Sequence, residues 1–278
     1  MELVMKSLCL QKYLNRYCPT LVSLSNLSDG EWRRISDRFA RRWDSVGQKI
    51  DCRSSIDFES TIYDVVMQAE SGQAESIAFL GFIEILCQDL KKHISQTHFS
   101  KLGQSINNLL SNFDVERSCY LDPIGELAVL LTIITESQLQ LSDIESELPT
   151  GRRADFCFTN KEGGGIVYVE VLNIHFQDRK IQSELDLTSF LSKRLEDKLS
   201  HKLNGQKIVE RDRIFTLLPV VWCNLEDVNK YVNVFELIKD KYQTLSICAL
   251  VQARTCSNEV GYRFMTIKDA LKIYNGHK

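Results

Sequence analysis

The chain is poor in several things that would have decided its class at once. It has four prolines, and a single one of them falls in the first 115 residues. Its nine cysteines form no C-x-x-C pair and share no repeated spacing. Their odd number excludes a closed disulfide framework, and the missing pairs exclude a zinc cage; reduced cysteines in a cytoplasmic protein are expected. No apolar run reaches the ~20 residues needed to span a bilayer. The longest, 77–87 and 124–134, each carry a glutamate. The first 13 residues show only a brief apolar patch and no small-residue cleavage site, so no signal peptide and no membrane association are expected. Charge of one sign is also lacking. The formal net charge is -3, which excludes a uniformly basic nucleic-acid coat but not a local basic face. There is no internal repeat, no G-x-S-x-G nucleophile, and no phosphate-binding glycine loop, because Gly163-Gly164-Gly165 lacks the lysine and the helix start that such a loop needs. His93, His98, His175, His201 and His277 have no metal-ligand spacing.

What is present divides in two. Residues 1–118 read as an all-helical region: apolar residues recur at helical spacing over 57–68 and 73–94, and a long polar helix follows the start signal at Leu27-Ser28-Asp29-Gly30-Glu31. Residues 119–278 read as α/β. Asp122-Pro123 caps a nearly wholly apolar helix reaching about 135. Strands are expected at 138–144, 153–159 and 166–174, the second and third joined by a glycine-rich hairpin. An amphipathic helix over 186–203 carries Leu187, Leu191, Leu195, Leu199 and Leu203 in one stripe, and Asn204-Gly205 ends it. A buried strand over 213–222 follows, then a helix over 228–241, strands near 245–252 and 261–265, and a short helix over 267–274. The expected whole is a mixed central sheet with flanking helices. Cys87, Cys157, Cys223 and Cys248 lie in apolar runs and read as core residues.

The order helix, strand, strand, strand, helix, strand comes with acids at particular places. Asp155 stands in Arg153-Ala154-Asp155-Phe156, Glu170 in Val169-Glu170-Val171-Leu172, and Glu126 in the apolar helix. This combination resembles the PD-(D/E)xK, or restriction-endonuclease-like, nuclease superfamily over about a third of the chain. The resemblance implies a restriction-endonuclease-like core and a metal-dependent nuclease acting on DNA or RNA. Asp155 and Glu170 would bind magnesium or manganese, and Glu126 would assist. Such chemistry wants a hard cation on oxygen ligands, to activate water and to offset phosphate charge.

Strand alternation places Ile166, Tyr168, Glu170 and Leu172 on one face, so Leu172 occupies the family's lysine position and Asn173 points away. Ala154 replaces the proline of the motif. Lys198, on the helix expected to pack over this sheet, is the candidate relocated lysine; Lys202 and Arg153 are candidate substrate-binding residues. Each residue has a plainer reading. Glu126 would serve the dipole in a first helical turn, and Asp155 would pair with Arg152 or Arg153. Glu170 resists one, because a carboxylate on a central strand needs a metal, a cation or a water-filled cleft.

Between 33 and 53, Arg33, Arg34, Arg38, Arg41, Arg42, Lys49 and Arg53 outnumber Asp37, Asp44 and Asp51, with Trp32 and Trp43 nearby. This is a candidate contact for a nucleic-acid backbone, or a solvated helix face. Besides the nuclease, two readings stay open. One is an inactive nuclease fold that binds nucleic acid or serves as a structural subunit. The other is a protein-interaction module in which the helical region contacts a partner or a second copy.

Overall fold

A computed structural model describes residues 10–51, 61–113, 120–160, 164–175, 183–204, 209–210, 213–224, 228, 230–242, 248–254 and 260–269. The chain divides into two compact units, Met1–Leu127 and Ala128–Lys278.

The first unit is helical. α1 (Leu10–Tyr17), α2 (Pro19–Ser25), α3 (Asp29–Asp51), α4 (Ile62–Glu70), α5 (Ala74–His93) and α6 (Gln96–Ser111) lead to α7 (Leu121–Glu136), within which the division between units falls. α1 and α2 precede the first helix that local start signals announce. α2 has proline at its first position, but Cys18 before it supplies no side-chain cap. The cap comes from another helix. The Glu84 carboxylate on α5 accepts from the Thr20 N–H at 3.0 Å and from the Thr20 hydroxyl at 2.6 Å. α4 is capped locally by a reciprocal box between Thr61 and Asp64. Asp64 also takes Arg42 of α3 in an ion pair of 2.8 Å, both side chains nearly sealed from water. Around this pair lie Phe39, Tyr63 and Phe113, with Phe39 and Tyr63 edge to face at 5.5 Å.

The second unit is a mixed sheet with flanking helices. β1 (Leu139–Glu147), β2 (Arg153–Asn160) and β3 (Ile166–His175) form an antiparallel meander. β3 then pairs in parallel with β5 (Arg213–Asn224), from Ile166↔Arg213 to His175↔Trp222. β5 pairs in parallel with β6 (Cys248–Arg254), and β7 (Val260–Thr266) closes antiparallel on β6. The sheet order is β1-β2-β3-β5-β6-β7, with two-residue β4 (Val209–Glu210) on β5 off this path. Parallel neighbours need crossovers. α8 (Glu184–Leu203) links β3 to β5, and α9 (Val232–Tyr242) links β5 to β6.

Both crossover helices enter one apolar cluster. Leu187, Leu191 and Leu195 of α8 and Val234, Phe235 and Ile238 of α9 pack with Leu172, Ile174, Leu217 and Val221 of the sheet. The turn before β2 depends on Gly151, whose φ of +76° suits glycine, and whose N–H donates to the Leu148 carbonyl at 2.9 Å. Asn204 ends α8 in the left-handed conformation, as the sequence implied.

Element boundaries differ from expectation by a few residues. β1 runs on to Glu147, and β5 to Asn224. Cys87, Cys157 and Cys248 are buried, as is Cys18. The side chains of Cys223, Trp43 and Lys49, Arg53, residues 161–163 of the hairpin, Gly205, 245–247 and the chain past Asp269 lie outside the described residues. Among the described residues no helix is long and apolar enough to cross a membrane.

Removing one partner of a sealed ion pair strands the other. Asp64→Ala leaves the Arg42 guanidinium buried without its carboxylate and opens the capping box. It is expected to cost about 3–5 kcal/mol, read as a lower urea midpoint at an unchanged slope.

Candidate functional site

The site rests on where β2 and β3 stop pairing. Their register ends at Phe156↔Val169. One residue beyond it on β2 stands Asp155, and one beyond it on β3 stands Glu170. The ladder is continued by a side chain: Asp155 Oδ2 accepts the Val171 N–H at 2.7 Å. This fixes the Asp155 carboxyl against β3 and leaves its other oxygen for a water or a cation.

Glu170 is fully buried. Two ammonium groups from α8 meet it: Lys198 Nζ lies 2.6 Å from Oε1, and Lys202 Nζ lies 2.9 Å from Oε2. The contact is ionic rather than directed, for neither oxygen accepts an aligned hydrogen bond from any described donor. Lys198 and Lys202 are four residues apart, so one helical face delivers both. They flank the stripe of Leu191, Leu195 and Leu199 that docks α8 on the sheet.

The lysines are held differently. Lys202 Nζ also donates to the Arg153 carbonyl at 2.5 Å. The Lys202 carbonyl in turn accepts from the Thr150 hydroxyl at 2.8 Å, in the turn between β1 and β2. Lys202 is thus tied to the turn through its carbonyl and to the start of β2 through its ammonium, and its side chain is 15% exposed, against 30% for Lys198. Lys198 is the one that keeps more access to solvent.

Electrostatics follow from these placements. Burial pushes the Asp155 carboxyl up to about 7, and the Glu170 carboxylate beside it adds to the rise; Lys198, the Val171 N–H and Lys202 oppose it. With all four groups ionised, the cluster of Asp155, Glu170, Lys198 and Lys202 is neutral. Once Asp155 takes a proton, it carries one positive charge.

The sequence-derived residues come together unevenly. Asp155, Glu170, Lys198 and Lys202 form one cluster. Arg153 contributes its carbonyl, while its side chain is exposed and joins no ion pair among the described residues. The pairing of Asp155 with Arg152 or Arg153 is therefore replaced by a main-chain hydrogen bond and the α8 lysines. Leu172 is buried in the apolar cluster beneath α8. Asn173 turns away, its side-chain oxygen accepting from the Trp222 indole N–H at 2.9 Å. His175 stacks on that indole at 5.7 Å. Glu126 is half-buried in α7 and falls in the first unit. Sequence reasoning missed Thr150 and the Arg153 carbonyl, since contacts made by a turn and a main-chain oxygen leave no residue-type signal.

An open groove of about 400 Å³ is lined by Glu147, Leu148, Pro149, Gly151, Tyr168 and Arg213. Tyr168 stands two residues before Glu170 on β3.

Among the described residues no group of three or more histidine, cysteine, aspartate or glutamate side chains is placed to hold a metal ion. The donors on hand for a hard cation are the two carboxylates, with one Asp155 oxygen already engaged. Their chemistry suits magnesium or manganese, which take oxygen ligands and keep several waters. A cation on Glu170 would share that carboxylate with the ammonium groups.

No family model, curated protein or solved structure matches the chain.

Two measurements probe this geometry. A carboxyl whose folded pKa lies above its unfolded value of about 4 stabilises the fold at low pH and loses that contribution as pH rises through about 7. Asp155→Asn keeps an acceptor for Val171 without the titration. Its stability relative to the parent should therefore climb between pH 4 and pH 7 and level off above pH 8, in urea titrations at each pH. Leu172→Lys puts the motif's lysine where the apolar cluster is packed. It should lower stability by several kcal/mol, seen as an early thermal transition.

Proposed function

We propose that the second unit is a divergent PD-(D/E)xK-like nuclease that hydrolyses phosphodiester bonds in DNA or RNA, its lysine supplied by α8 instead of β3. One observation carries the reading. A carboxylate at the centre of a sheet is sealed from water, sits beside a second carboxylate on the neighbouring strand, and is met by two lysines. Two acids and a lysine are the groups such chemistry requires, and Leu172 gives the reason the lysine comes from elsewhere. The order α7, β1, β2, β3, α8, β5, with β3 and β5 parallel, agrees with a restriction-endonuclease-like core.

Asp155 and Glu170 are the residues to hold magnesium or manganese, which when bound would supply a water of lowered pKa and offset charge on the phosphate. The chain's own groups do the rest. Glu170 needs one ammonium to balance it, and Lys202, tied to the β1–β2 turn, serves as that fixed counter-charge. Lys198, paired with Glu170 but the more exposed of the two lysines, is the one we assign to donate to a phosphate oxygen or to orient the attacking water. The Val171 N–H holds the Asp155 carboxyl in one orientation, and the groove along Tyr168 and Arg213 offers room for the chain that flanks the scissile bond.

A second reading has an observation of its own. Glu170 is already neutralised by protein cations, so the cluster is electrically complete without a metal, as in a nuclease fold kept for binding or as a structural subunit.

The purified protein is expected to cut single- or double-stranded DNA or RNA with magnesium or manganese. Glu170→Ala and Lys198→Ala should each lower the rate at least 100-fold, while Lys198→Ala stays folded by circular dichroism. Equal cleavage by Glu170→Ala would sink the nuclease. No cleavage, together with no heat on titrating manganese, would leave the second reading.

A further inference from the structure

One charged surface lies outside the carboxylate–lysine cluster. On α3, Arg33, Arg34, Arg38 and Arg41 are all exposed, while Arg42 is spent on Asp64. At 100° per residue, Arg34, Arg38 and Arg41 fall within about 60° of arc, and Arg34 and Arg41 stand about 10 Å apart along the axis. Asp37 is the one acid between Trp32 and Arg42. Glu31, a turn earlier, is held by Ser28, whose N–H and hydroxyl donate to it at 2.8 and 2.7 Å. Among the described residues none of the four exposed arginines makes an ion pair.

Three of them make contacts of their own. Arg34 Nε donates to the Gly30 carbonyl at 3.4 Å, and Arg41 Nε to the Asp37 carbonyl at 3.2 Å. The Arg38 guanidinium lies 4.7 Å over the Phe113 ring. Arg34 and Arg41 are exposed and bonded through Nε, and the two terminal nitrogens of a guanidinium make a fork that matches two oxygens of one anion. Of the four, Arg38 has no acid one helical turn away, whereas Asp37 lies a turn from Arg33, Arg34 and Arg41, Glu31 a turn before Arg34, and Asp44 a turn after Arg41.

We infer that this arginine face of α3 is a track for the phosphodiester backbone of a nucleic acid. The spacing suits a polyanion: a duplex strand presents one phosphate per ~3.4 Å of axis, so three arginines over ~10 Å meet about three of them. The choice of a nucleic acid over another polyanion rests on the phosphodiesterase reading above. The charge geometry does not.

Anisotropy of a fluorescein-labelled 20-nucleotide single strand, with the full chain in EDTA, tests it apart from any cleavage. Binding should weaken as salt rises. The triple variant Arg34→Gln, Arg38→Gln, Arg41→Gln should bind at least 10-fold more weakly, with the slope of log affinity against log salt reduced by about two (three phosphates at ~0.7 each). Asp37→Asn, which removes the acid one turn from Arg33, Arg34 and Arg41, should tighten binding about two-fold. If the triple variant does not fold, the single variants Arg34→Gln and Arg41→Gln decide, because those side chains bond only their own helix. Unchanged affinity and slope in folded variants would overturn the inference. So would equal, arginine-dependent binding to polyglutamate or to phosphatidylserine vesicles, which would make the face a general anion surface. Binding that behaves as expected in a protein that never cuts would uphold the track and remove the nuclease.

Discussion

A carboxylate with no exposure at the middle of a sheet is the constraint that organises the second unit. Taking Glu170 out of water costs several kcal/mol unless a cation replaces its hydration, and no group on β2, β3 or β5 does so. The charge comes from α8, through Lys198 and Lys202. The helix must therefore sit at one height and one rotation on the sheet. The leucines that bury against Leu172, Leu217 and Val221 set that rotation, since lysines three residues beyond Leu195 and Leu199 land over Glu170 only when the leucine stripe faces inward.

Apolar and ionic requirements are thus solved by one docking. Leu172 belongs to the apolar half. Placed two residues past Glu170, it supplies packing area under α8, and an ammonium in its place would lie in the leucine cluster with nothing to pair it. Moving the cation to the helix leaves the sheet face dry and still brings two positive charges to the carboxylates. With the other three groups ionised, the cluster that results shifts between neutral and singly positive as Asp155 titrates.

Much of this was legible in the chain. The period-two alternation of β3 puts Glu170 and Leu172 on one face and turns Asn173 away. The four-residue leucine stripe of α8 identifies Lys198 and Lys202 as its flank. Asn204 marks the helix end. What the sequence does not carry is contact made through the main chain or across long separations. The cap of α2 is Glu84, 64 residues along, so nothing local distinguishes Pro19–Ser25 as a helix. The preference of Glu170 for lysines over Arg153 depends on where α8 lands, and Arg153 enters only through its carbonyl, an atom every residue has. β4, two residues long, has no pattern to read.

The clasp between Thr150 and the Lys202 carbonyl has a further consequence for how such a site holds together. Glu170 lies between the turn at 148–152 and the end of α8 in chain order, and both of its ammonium partners come from α8. One helix thus seats both ammonium groups on the acid and, through the Lys202 carbonyl, holds the turn, so a change that unseats the end of α8 would uncover the carboxylate and free the turn together.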